Sequence, residues 1–145
     1  REYITAAELW MLKRTKPMYQ AFPWKLLIQC GTKGCAVSDY GRQLMGKMMA
    51  CYEKDEYCKL AGHGFRILAE AIEQNRPYDI DCPALLICGE QDHAGSSKRY
   101  NRAWAKKTEF PLLWIKNAGH NSNTDQPELI NASIENFIKE LHHGI

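Results

Sequence analysis

Two short apolar runs, Pro83-Ala84-Leu85-Leu86-Ile87-Cys88 and Pro111-Leu112-Leu113-Trp114-Ile115, restrict the fold of this chain more than any other feature. Each is unbroken rather than alternating and each is entered through a proline, the pattern of a strand buried on both faces. Between them, residues 96–107 place Tyr100, Ala103 and Trp104 at helical spacing. Strand, helix, strand in that order makes a parallel pair, because parallel neighbours need a long crossover. A further helical pattern follows, with Leu129, Ile130, Ile134, Phe137, Ile138 and Leu141 on one face. Asp125-Gln126-Pro127-Glu128 opens it as a capping box with proline in the first turn.

The first half contains no strand pattern. Residues 4–14 read as a helix with Ala7, Trp10 and Met11 on one face. A proline and aromatic patch spans residues 16–24, and Leu26-Leu27-Ile28 is a short apolar run. Gly31-Thr32-Lys33-Gly34 predicts a loop. Ser38-Asp39 predicts a cap for a helix reaching about Tyr52, with Leu44, Met45, Met48 and Met49 on its face. Residues 54–75 predict a longer helix with a buried stripe of Tyr57, Leu60, Ala61, Gly64, Leu68, Ala69 and Ile72, ended by Arg76-Pro77. The expected class is α/β: a helical unit over residues 1–76, then a strand-helix-strand-helix unit over residues 77–145.

Composition narrows the partners. The chain is 45% hydrophobic and 25% charged, with a formal net charge of +2 spread among acidic residues. That balance argues for a globular domain and against a nucleic-acid or membrane-surface footprint. No apolar run reaches the roughly 18 residues that span a bilayer. The six cysteines, Cys30, Cys35, Cys51, Cys58, Cys82 and Cys88, show no C-x2-C knuckle and no paired histidines. Reduced thiols without a metal site, in a cytoplasmic protein, are the expectation. A chain beginning at Arg1 with no signal peptide is expected to be part of something longer.

In open parallel sheets, ligands collect beyond the carboxyl ends of the strands. Gly89-Glu90-Gln91-Asp92-His93 follows the first apolar run, and Asn117-Ala118-Gly119-His120 follows the second. Parallel neighbours lie about 4.8 Å apart, so Asp92 and His120 are within reach of each other. An aspartate that orients an imidazole makes it a general base. Taken singly, Asp92 reads as a turn cap and His120 as an ordinary loop histidine; their pairing at adjacent strand ends favours catalysis.

Residues 83–92 resemble the seventh strand and acid loop of the α/β-hydrolase family, P-x-L-x-I-x-G-x-x-D. Asn117-Ala118-Gly119-His120 with Asp125-Gln126-Pro127-Glu128 resembles its histidine loop and last helix. The family's order of serine, acid, histidine makes Asp92 the triad acid and His120 the general base. The resemblance implies a cap-bearing serine hydrolase, esterase-like and without cofactor. Residues 1–76 would be the cap, and residues 77–145 the C-terminal part of the sheet. Trp24, Met45 and Met48 would line an apolar acyl pocket for a small ester-like substrate, with Trp10, Met11, Phe22 and Met49 as further candidates. An aspartate nucleophile, as in dehalogenases and epoxide hydrolases, would use the same acid and base.

No G-x-S-x-G occurs, so the nucleophile is expected upstream of Arg1 and the chain alone is expected to be inactive. Local substitutes fit poorly. Gly62-His63-Gly64 lies in a helical stripe, while Ser38, Ser96 and Ser97 stand at helix starts. Ser122 lacks a strand-to-helix elbow, His93 reads as a solvated loop residue, and His142-His143 as a frayed end. Cys35 is the remaining thiol candidate. Without upstream strands, the strand at 84–88 would expose an edge, to be covered by a missing N-terminal half or by self-association. A nucleotide-binding module would need a glycine-rich phosphate loop, and none is present.

Overall fold

The computed structural model describes residues 3–75 and 80–143. In chain order the elements are α1 (Ala6–Lys13), α2 (Thr15–Ala21), α3 (Trp24–Cys35), α4 (Asp39–Ala50), α5 (Lys54–Gln74), β1 (Leu86–Gly89), α6 (Ser97–Thr108), β2 (Leu112–Ile115), α7 (Ser122–Asp125) and α8 (Pro127–His143). Among the described residues, no helix is long and apolar enough to cross a membrane.

The expected α/β class is wrong for this chain, and so is its description as part of an α/β-hydrolase sheet. Eight helices hold 68% of the described residues, and the sheet is two strands. Each strand has only four residues, so the apolar runs contribute little ladder. Pro111 has no N–H to donate, and pairing opens where its carbonyl accepts from Leu86 N at 2.9 Å. The parallel direction holds, with Leu86 opposite Leu112 and Gly89 opposite Ile115.

Residues 31–34 are also not a loop, because α3 runs through them to Cys35. A Cβ on Gly31 would stand 2.6 Å from Met49 Sδ, and one on Gly46 would stand 3.3 Å from Thr32 Cγ2. These glycines let α3 and α4 pack closely, which outweighs their low helix propensity. The helix after Ser38 forms as expected: the Ser38 hydroxyl accepts from Gly41 N at 2.9 Å.

The buried faces differ from the expected stripes. In α5, Cys58 and Ala69 are buried, whereas Leu60 and Leu68 are 54% and 45% exposed. Tyr57, Cys58, Ala61, Gly62, Phe65, Ala69 and Ile72 make the inner face, and Gly62 lies against Lys16 of α2. In α1, Leu9 is buried and Trp10 exposed. In α8, Ile130 joins Ile115 and Ala118 in the core beside Ile87 and Leu113. Leu129, Ile134, Ile138 and Leu141 are exposed. The helix α5 ends on Asn75 in the left-handed region, φ 48°. The stop expected at Arg76-Pro77, and with it the boundary at 76/77, lies outside the described residues.

Candidate active site

The ends of β1 and β2 are sewn together by backbone hydrogen bonds. Glu90 N donates to Ile115 O, and Gln91 N donates to Ala118 O, both at 2.9 Å. Gly89 is essential here, since a Cβ would run into the carbonyl oxygens of Ala118 and Gly119. Asn117 turns the chain at φ 53°, a left-handed conformation that asparagine tolerates. The two loops are thereby held in contact at backbone level.

Asp92 is 4% exposed. Its Oδ1 accepts from Ala94 N at 2.8 Å, a local Asx turn. Its Oδ2 accepts from the Ser97 hydroxyl at 2.7 Å and lies 3.0 Å from His120 Nδ1. Burial pushes the carboxyl pKa up, but the bonds from Ser97, His120 and Ala94 outweigh it, and the net shift is downward. An ionised carboxylate only accepts, so Nδ1 of a neutral His120 carries the proton and Nε2 the lone pair. The His120 side chain is 48% exposed, so the imidazole reaches the surface. This is the geometry of an oriented base.

The histidine loop has a second carboxylate that motif reading placed elsewhere. Asp125 is 7% exposed, lies in α7 and does not cap α8. Its Oδ2 accepts from Gly119 N at 2.8 Å, and its Oδ1 from Ser38 N and the Ser38 hydroxyl, each at 2.8 Å. Val37 N donates to both oxygens, at 3.1 and 3.0 Å. Burial raises the Asp125 pKa, yet the donors from Gly119, Ser38 and Val37 bring it below the ordinary carboxylate range. Asn121 N adds a bond to Cys35 O at 2.7 Å.

The other candidates separate clearly. Met45 reaches the loop, its sulfur 3.8 Å from Asn121 Nδ2. Trp24 instead packs at a tilt against Tyr57, with centroids 5.3 Å apart. Met48 is 57% exposed and Met49 buried at 2%, so the expected pocket row divides between surface and core. Cys35 borders the histidine loop, but burial and then the Asp92 charge raise its thiol pKa, which disfavours a thiolate. Ser38 is bound to Asp125, Ser97 to Asp92, and Ser96 to Glu8 at 2.7 Å. His93 and His63 are exposed. Among the described residues, no hydroxyl or thiol is hydrogen-bonded to His120.

Ser97 and Asp125 are the site residues that sequence reasoning missed. Ser97 looked like a helix cap, and its spacing from Asp92 was the available signal. Asp125 looked like half of a capping box, and nothing nearby in sequence names its partners. All six thiols are free. Among the described residues, no cluster of three metal-ligating side chains occurs. No protein-family model matches the chain, and no curated protein is similar enough to count as a relative.

Proposed function

We propose that Asp92 and His120 are the acid and general base of a hydrolase for carboxylic esters or similar acyl bonds, whose nucleophile lies on a segment outside these 145 residues. One observation carries the reading: a buried, ionised carboxylate 3.0 Å from Nδ1 of a half-exposed imidazole. In this reading Nε2 takes the proton of a serine hydroxyl as its oxygen attacks the acyl carbon. Asp92 stabilises the imidazolium, which then protonates the leaving group. Water repeats the sequence to release the acid. The order acid then histidine, and the motif resemblance of residues 83–92 and 117–120, support the same assignment.

The test is hydrolysis of p-nitrophenyl butyrate. A polypeptide extended to include the nucleophile should lose roughly 10²–10⁴-fold in kcat/KM on His120→Ala or Asp92→Asn. Turnover indifferent to His120→Ala overturns the proposal. The 145-residue chain should show no turnover alone. Activity of that chain abolished by His120→Ala would place the nucleophile inside it, with Cys35 and Ser122 the first residues to replace.

A further inference from the structure

We infer that Asp125 is a positioning residue for His120, holding the imidazole on Asp92 by tethering its loop to the junction of α3 and α4; this rests on the reading of Asp92 and His120 as a dyad. Both neighbours of the histidine are held at this junction, one by Asp125 and the other by the backbone of Cys35. On one side, Gly119 N donates to Asp125 Oδ2 at 2.8 Å. On the other, Asn121 N donates to Cys35 O at 2.7 Å. The remaining acceptor positions of Asp125 are filled by Val37 N, Ser38 N and the Ser38 hydroxyl. Only donors converge on this carboxylate, so only its ionised form satisfies all of them.

Asp125 therefore does not merely fill space beneath the loop. It ties the residue before His120 to Val37, a residue 88 positions before Asp125 itself. The fit at Gly119 is close as well: a Cβ there would lie 3.0 Å from Cys35 O and 3.4 Å from Asp125 Oδ2. Because Ser38 also caps α4 through Gly41 N, the orientation of the base is coupled to the helical half of the molecule. Asparagine cannot replace the carboxylate, because its NH2 would point at an N–H donor wherever its oxygen is placed.

The experiment is nitrogen-15 NMR of the 145-residue chain and its Asp125→Asn, Asp125→Glu, Ser38→Ala and Asp92→Asn variants. The readouts are the His120 ring nitrogens and amide exchange of Gly119, Asn121 and the β1 residues. The wild type should show a proton held on Nδ1, lost in Asp92→Asn. Asp125→Asn should lose it too, with exchange of Gly119 and Asn121 rising about tenfold or more while β1 amides stay protected. Asp125→Glu should restore part of the Nδ1 signal. Persistence of the signal in Asp125→Asn overturns the positioning role and leaves the dyad standing. A wild type with its proton on Nε2 overturns the dyad itself. Should Asp125→Asn fail to fold, Ser38→Ala decides: partial loss of the Nδ1 signal supports the tether, and an unchanged signal refutes it.

Discussion

The loops that carry Asp92 and His120 are held by different kinds of partner. Residues 89–97 close around Asp92 largely by themselves: Asp92 N donates to Gly89 O, Ala94 N to Asp92 Oδ1, and the Ser97 hydroxyl to Asp92 Oδ2. Residues 117–126 instead take their main anchors from Cys35, Val37 and Ser38, up to 88 positions away. Asp92 is fixed by local chemistry, and the His120 loop by the packing of the helical half. A site assembled this way loses its histidine geometry whenever the helical half moves, even with Asp92 undisturbed.

The change expected to disturb both loops at once is Gly89→Ala. The new Cβ would meet backbone carbonyls that cannot rotate away, so the cost should lie at or above the upper end of the roughly 1–3 kcal/mol typical of overpacking. Urea unfolding measures it, and a wild-type midpoint would contradict the close approach of the strands.

Asp125→Ala should separate the two loops. It strips acceptors from three backbone N–H groups and one hydroxyl, costing about 3 kcal/mol. Amide exchange should rise at Gly119 and Asn121 and stay near wild type at Ala94. Equal loosening of both loops would erase the contrast between them.

Acid should have a smaller, graded effect. The folded pKa values of Asp92 and Asp125 are lowered, so the unfolded chain binds protons first as pH falls. Their stabilisation is full above the unfolded value of about 3.9 and drains away as pH drops through the lower folded values. Glu8, held down to about 2 by the Thr5 backbone bond and then the Ser96 hydroxyl, follows the same sign. Thermal unfolding between pH 6 and 2.5 reads this, and Asp125→Ala should flatten the profile.

The smallest effect belongs to Ser97→Ala, which removes a single bond to Asp92 and should cost about 1 kcal/mol. With that donor gone, the Asp92 pKa should rise. Carbon-13 titration of the carboxyl measures it, and an unmoved pKa would show that Ser97 does not help to hold the charge.

Asp92 and His120 were legible in the sequence because each follows an apolar run, and parallel pairing of those runs was enough to bring them together. Helices from Ser38 and through residues 54–74 were legible from capping and periodicity. The class was not legible. Two four-residue strands were read as the organising sheet, while Gly31-Thr32-Lys33-Gly34 concealed a helix. The α5 stripe failed for a related reason: Leu60 and Leu68 are the more hydrophobic choice, but α2 packs against the face carrying Gly62, where Lys16 comes close.

The sequence by itself determined that Asp92 and His120 would meet and the parallel sense of the strands that carry them, since both follow from local order and short-range periodicity. Only the tertiary structure decided that the chain is mainly helical, that Gly31 of α3 is a packing contact against Met49, and that Asp125 anchors the histidine loop rather than capping α8. Those outcomes depend on which surfaces meet. A carboxylate binds whatever donors the fold delivers to it, and residues 87 and 88 positions apart leave no pattern in sequence to announce the meeting.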